Sequence, residues 1–424
     1  MNKRKLHHSR LRRFWKALGP GLISGASDDD PSAITTFSQA GARYGLSTLW
    51  VAIVSFPVLA SIQEMCARIG MVTKTGITSV VKTHYPKWLL YVLIGLSCPA
   101  FLLNMGADIS VLGETGNLLF PHIAPLYCSI AFTLLLFLLM IVLSLKRLAH
   151  IMKFVCLSLV VYVAAPFFYH QDVRSILKYS FIPSFHFTKT YLLLLTGLTG
   201  AIVSPYLFFW QTSAEAEDAE DRIADINTPV KKKFFKAMRI DIITGAFFAV
   251  FIMYFVILTT GTVLHNNHIY QINTVKEAAV ALKPLAGNVA YILFSIGVIS
   301  TAFLIIPVLS GSVSYILSEA FNWKSGFNKS FGEAKGFYII IMVAMCIGII
   351  MQLLRINAIK ALLFTTVIYG ITAPFLIGII MHICNNKKIM GQYINKIASN
   401  LIGTLTLVLM LGVLIMLGYF MLIR

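Results

Sequence analysis

Eleven apolar stretches recur along this chain, each long enough to cross ~30 Å of hydrocarbon at ~1.5 Å per residue. They fall near residues 18–40, 48–69, 89–115, 125–145, 149–169, 188–213, 238–263, 285–317, 336–354, 358–384 and 399–422. No single water-soluble core accommodates them: of 424 residues, 58% are hydrophobic and 12% charged, and the mean hydropathy is +0.79. The chain therefore reads as an all-α polytopic membrane protein.

A formal net charge of +18 raises nucleic acid as a partner, and the placement of that charge rejects the class. Lys3, Arg4, Lys5, Arg10, Arg12, Arg13 and Lys16 precede the first span. Further basic residues sit in alternate connections, as at Lys146 with Arg147, Lys231 to Lys233 with Lys236, and Lys387 with Lys388, whereas the loop carrying Pro121 and His122 is poor in them. This one-sided pattern predicts a cytoplasmic N-terminus and, with eleven spans, an external C-terminus. Cys66, Cys98, Cys128, Cys156, Cys346 and Cys384 stand singly in apolar stretches, without the pairing a zinc site or disulfide framework needs. No cleavable leader is expected, and the short loops suit a bacterial inner (plasma) membrane.

Inside the first span lie Asp28, Asp29 and Asp30, followed at once by Pro31. Unpaired carboxylates in hydrocarbon cost at least ~2.5–3.5 kcal/mol each, so a span that keeps three of them reports a polar site. Pro31 removes a helical donor and biases Asp30 away from the helical region, which breaks the span. The sixth span carries TGLTGAIVSPY, where Gly197, Gly200 and Pro205 are expected to break it in the same way. Interrupted segments at corresponding places in two halves are the mark of an inverted-repeat transporter, with the site where the unwound stretches meet. The resulting division is a basic cytoplasmic arm over 1–17, a first five-helix repeat over 18–170, a second over 188–384, and a loop with an additional eleventh helix over 385–424. Pro57, Pro99, Pro166, Pro307 and Pro374 read as ordinary kinks.

An unwound helix frees carbonyl oxygens, and a carboxylate beside them completes an all-oxygen cage for a hard divalent cation. Asp30 would supply the charge, the carbonyls from Ala201 to Ser204 the neutral oxygens, and Ser204 its hydroxyl. The competing reading has the three Asp capping a half-helix or pairing with a buried Arg. The acidic run Glu215, Glu217, Asp218, Glu220, Asp221 and Asp225 reads as a solvated connection, and His265 and His268 are too isolated for a metal site.

GPGLISGASDDDPSAITTFSQAGARYG resembles the first helix of the NRAMP family of proton-coupled divalent metal transporters, whose hallmark there is Asp-Pro-Gly-Asn. Further matches are TLWVAIVSFPVLASIQEMCARIGMVT in the second span, GAIVSPY in the sixth, and the stretch from Lys360 through LLFTTVIYGITAPF to NNKKIMG around the tenth. The resemblance covers nearly the whole chain. It implies the LeuT/APC-type fold, an inverted 5+5 repeat with helices 1 and 6 broken around the metal. The hallmark Asp then falls on Asp30 and the Pro on Pro31, but the Gly falls on Ser32 and the Asn on Ala33. The helix 6 Met-Pro-His falls on Ser204, Pro205 and Tyr206, so the soft thioether and the imidazole are both replaced. A hydroxyl in place of a thioether removes the preference for transition metals, and a cage without the Asn leaves room for the waters that Mg²⁺ keeps. The donor set resembles that of the NRAMP-related magnesium transporters. Asp28 and Asp29 would raise the negative potential along the approach path.

The family's acidic pair in helix 3 falls on Asp108 and Met105, so one acid survives; Glu114 is a substitute for a proton or gating role. Thr366 falls near a Gln that the family often places by the metal, and Thr366 and Tyr369 are second-line candidates. Glu64 and Arg68, four apart in the second span, are expected to pair near the cytoplasmic end in a structural or gating role.

These readings lead to a non-enzymatic secondary transporter without cofactor, importing a divalent cation by alternating access with Mg²⁺ first and Mn²⁺ second. Uptake would need no proton, since the membrane potential supplies about 2.3 kcal/mol per charge per 100 mV. Its partners would be the metal ion and the lipid bilayer, with protons as a further candidate. The alternatives are a conventional proton-coupled Mn²⁺/Fe²⁺ symporter, an amino-acid or other organic-solute symporter of the same fold, and a membrane receptor that no longer transports.

Overall fold

A computed structural model describes residues 20–143, 163–168, 172–222, 232–274, 277, 290–354 and 356–422. Among these residues every regular element is helical. The first half holds α1 (Pro20–Asp28), α2 (Pro31–Tyr44), α3 (Leu49–Thr73), α4 (Ile77–His84), α5 (Lys87–Leu119), α6 (Pro125–Val142) and α7 (Val173–Phe181). The second holds α8 (Lys189–Ile202), α9 (Pro205–Arg222), α10 (Lys232–Thr260), α11 (Ala290–Phe321), α12 (Lys335–Leu353), α13 (Ala358–Asn385), α14 (Lys387–Met390) and α15 (Ile397–Leu422).

Nine continuous helical segments among the described residues are long and apolar enough to cross a membrane, against the eleven spans expected. Two causes account for the difference. Helices α2 and α3 run on through one 3₁₀ turn at Gly45–Thr48 and count together, with α1 too short to count alone. The expected span at 149–169 lies outside the described residues apart from 163–168, as do the basic arm over 1–17 and Cys156.

Both broken spans are present, with the same construction. Helix α1 stops at Asp28, Asp29 and Asp30 are irregular, and α2 restarts with Pro31 at its first position. Helix α8 stops at Ile202, Val203 and Ser204 are irregular, and α9 restarts with Pro205. Proline suits a first helical position because its missing N–H would have had no intrahelical partner. The sixth-span break is narrower than expected, since Gly197 and Gly200 both lie within α8. Gly200 serves a different purpose: a Cβ there would overlap the Thr366 carbonyl and the Gly370 amide, and one at Gly370 would overlap the Thr196 carbonyl. The two glycines let α8 and α13 meet backbone to backbone, as small residues do where lipid offers no hydrophobic drive to association. Gly25 and Gly245 bring α1 against α10 in the same manner.

Burial separates the centre of the bundle from its lipid-facing rim. The most apolar window of the broken pair α8–α9 is 83% buried, whereas that of α15 is 22% buried. A polar site in the first group is shielded from hydrocarbon by its neighbours.

Candidate metal site

Pro31 holds Asp30 extended (φ −71°, ψ 169°), which turns its side chain back over the start of α2. Oδ1 accepts from the Ala33 N–H at 2.6 Å and the Ser32 hydroxyl at 2.5 Å. Oδ2 accepts from the Asn104 amide at 3.2 Å and the Tyr206 hydroxyl at 3.3 Å. Four donors converge on one buried carboxylate, an arrangement suited to an acceptor-only, ionised group. The capping geometry is real, and it leaves Oδ2 facing α5 and α9.

Tyr206 joins the two breaks, because its hydroxyl also reaches the Ser27 carbonyl at 3.2 Å. Ser204 lies beside Asp28, with its hydroxyl donating to the Ala201 carbonyl at 2.8 Å. The Ser204 carbonyl accepts from the Leu207 N–H at 3.0 Å and so belongs to the restarted helix. Asp30, Ser204 and the carbonyl of Ala201 thus sit around one junction. Ala33 does not join them as an oxygen donor: it presents its N–H to Asp30 and otherwise a methyl group.

Asp28 and Asp29 are buried, and Asp28 Oδ1 and Asp29 Oδ2 have no hydrogen-bond partner. Among the described residues no Arg or Lys pairs with any of the three aspartates. Unpartnered carboxyl oxygens in an interior are costly, so an ion passing the break would find two acceptors open to it. No group of three or more His, Cys, Asp or Glu side chains disposed to hold a metal occurs among the described residues. A cation at Asp30 would depend on carbonyls, hydroxyls and water for its remaining ligands.

Two residues not singled out from the sequence complete the site. Asn104 donates to Asp30 Oδ2 and, at 3.1 Å, to Asp108 Oδ2, and it accepts from Thr365 at 2.8 Å. It spans two carboxylates that the sequence presents 78 positions apart. The one trace it leaves in the sequence is its i,i+4 spacing to Asp108, which by itself selects no site. Thr365, one residue from Thr366, is the span-10 side chain tied to this network. Thr366 contacts Thr36 at 3.2 Å instead. The Tyr369 ring packs with Phe101 and Tyr206, at centroid distances of 6.0 and 5.7 Å, as an aromatic wall.

Asp108 is buried and keeps Oδ1 unpartnered, while Glu114 lies half-buried about 9 Å further along α5. Glu64 pairs with Arg68 and with Arg239, both at 3.1 Å. Arg68 also holds the Tyr393 carbonyl and Asn395, at 2.9 and 2.6 Å, so this network staples α3 to α10 and the 393–395 segment without touching Asp30. His265 and His268 bond separately to the Ala42 carbonyl and to Tyr270.

Asn104→Leu should keep the volume of α5 while severing Asp30 from Asp108. Hydrogen bonds to charged groups are worth about 1.5–3 kcal/mol, so metal influx is expected to drop roughly tenfold or more, measured with purified protein in liposomes.

Residues 21–420 match the family described as Natural resistance-associated macrophage protein-like. The chain belongs to the NRAMP family. The Divalent metal cation transporter MntH of Bacillus subtilis is 24% identical over 389 residues, covering 89% of this chain and 86% of its own length. The MntH of Caldanaerobacter subterraneus is 23% identical over 401 residues, covering 93% and 90%. Among solved structures, the Eremococcus coleocola manganese transporter superposes with a TM-score of 0.74 at 16% identity, over 96% of this chain and 86% of that one. MhsT in complex with L-phenylalanine gives 0.64 at 12% identity, over 94% and 98%. This NRAMP member is therefore an all-helical, multi-pass membrane protein of the LeuT-type fold, as its broken helices indicate.

Proposed function

We propose that this NRAMP protein carries a divalent metal cation across a membrane by alternating access, with Mn²⁺ as cargo ahead of Mg²⁺ and a proton moving with it. That reverses the order drawn from the sequence. Two arguments support the reversal. The bacterial relatives matched over about nine-tenths of the chain are named divalent metal cation transporters, and one solved protein of like fold is a manganese transporter. Carboxylate, carbonyl and water oxygens suit Mn²⁺ as well as Mg²⁺, so the missing thioether does not disfavour Mn²⁺ as a ligand partner.

The observation that carries the reading is the junction of the two helix breaks, where Tyr206 bridges Ser27 and Asp30 beside Ser204. Irregular backbone at membrane depth is tolerated where it lines a site, and a fixed carboxylate there recruits a cation. Asp108, linked to Asp30 through Asn104, is the proton-carrying group in this reading, with Glu114 further along the same helix. Asp28 and Asp29 draw cations toward the break. Glu64 and Arg68 act as a gate-side staple. The repeats would span 18–170 and 188–384, with 385–424 added, and the protein would sit in a bacterial inner membrane with its N-terminus cytoplasmic.

A second reading, Mg²⁺ uptake without protons, is favoured by Ser204 and Tyr206 standing where the family carries a thioether and an imidazole. Influx of Mn²⁺ and of Mg²⁺ into proteoliposomes containing a lumenal pH dye separates the two. The expected result is Mn²⁺ influx with acidification that Asp108→Asn abolishes. Ser204→Met should then shift preference further toward Mn²⁺, by about tenfold for a ligand worth roughly 1.4 kcal/mol. Mg²⁺ influx without acidification would establish the second reading, and no flux of either ion would overturn both.

A further inference from the structure

A cleft of about 720 Å³ opens on the lipid-facing surface between α13, α15 and the start of α5. Ile371, Gly378 and His382 mark its length on α13, Leu411 faces them from α15, and Tyr85 closes one end. From Ile371 to His382 a helix rises about 16 Å, roughly half of the ~30 Å hydrocarbon layer. The cleft is therefore about as long as one leaflet is thick. Its depth comes from Gly378, where an added Cβ would meet no atom within 4 Å, and its apolar walls include Ile371 and Leu411, 51% and 47% exposed.

The two ends differ in chemistry. At the inner end lie only aliphatic and aromatic side chains, whereas at the other the Tyr85 hydroxyl meets His382 Nδ1 at 2.7 Å. That pair engages Nδ1 and leaves the second imidazole nitrogen of the exposed His382 free of it. Exposed Lys87 follows Tyr85 by two positions, and exposed Lys387 and Lys388 follow His382 by five and six. Among the described residues none of the three lysines forms an ion pair, and neither 65–107 nor 334–424 contains an Asp or Glu. Trp88 and Tyr91, 61% and 67% exposed, stand on the same turn of α5, as aromatic residues do at a membrane–water interface.

We propose that this cleft binds an anionic phospholipid, with one acyl chain along α13 over Gly378 and the phosphate at the Tyr85–His382 end among Lys87, Lys387 and Lys388. One-leaflet length selects a lipid tail over a soluble ligand. The uncompensated lysines select an anionic headgroup, since basic pockets between helices at a membrane surface recognise such lipids. Occupancy would splint α15 to the second repeat, whatever the cargo.

Native mass spectrometry of the detergent-purified full chain, titrated with phosphatidylglycerol or phosphatidylcholine, tests the proposal. Phosphatidylglycerol should be retained preferentially, and Lys87→Gln, Lys387→Gln and Lys388→Gln should each lower that preference, by about fivefold per charge where the lysine is near the phosphate. Gly378→Phe, whose Cβ would meet no atom within 4 Å, should fill the cleft and weaken both lipids. Equal retention of the two lipids, or retention unchanged by Gly378→Phe, would overturn it. So would a dimer lost in Gly378→Phe, which would make a second copy the occupant.

Discussion

Asp30→Asn is expected to cut metal influx by about two orders of magnitude, equivalent to roughly 3 kcal/mol, without unfolding the protein. Asn caps a helix about as well as Asp, so the bond from the Ala33 N–H and the start of α2 survive. What disappears is the one charge that faces both α5 and α9. The amide that replaces Oδ2 also turns a donor toward the Asn104 amide, which has only donors on that nitrogen to offer. Asp30→Ala removes the cap as well, at a further ~1 kcal/mol, and should lower both influx and thermal stability. Comparing the two separates the carboxylate's role in binding from its role in capping. Influx by Asp30→Asn within threefold of the unsubstituted protein, at equal stability, would reduce Asp30 to a cap.

How much of this site could be read from the chain depends on the kind of signal each residue leaves. Pro31 and Pro205 act on their own backbone, so the two breaks were legible locally, and the unwound pairs Asp29–Asp30 and Val203–Ser204 lie directly before them. Asp30 was legible because a charge in hydrocarbon is conspicuous. Asn104 and Thr365 were not, because one amide or hydroxyl in a membrane helix costs little and breaks no periodicity. Their meaning arises only when α5, α13 and the first break come together. Ala33 was carried as a site position by resemblance, and the helix there turns its N–H, not an oxygen, toward Asp30. The preference between Mg²⁺ and Mn²⁺ was beyond the donor list for a chemical reason, since oxygen ligands serve both ions.

Gly200 shows the opposite error, a residue whose local signal misleads. Glycine in an apolar stretch reads as a breaker, yet Gly200 is helical and its missing side chain is used by a neighbour. Gly200→Leu is expected to cost about 3 kcal/mol, the upper part of the range for overpacking, because the obstructing atoms are the Thr366 carbonyl and the Gly370 amide. Backbone atoms cannot rotate aside as a side chain would, so α8 and α13 must separate. Separation moves Thr365 away from Asn104 and, through it, loosens the donors on Asp30. Stability and influx should therefore fall together, read as a lower unfolding temperature in detergent and a matching loss of transport in liposomes. Gly412→Leu on α15, where an added Cβ meets nothing within 4 Å, should leave both unchanged. A stable, transporting Gly200→Leu would mean that the two helices are not held at this distance in the membrane, and the site would then be assembled without the α8–α13 contact.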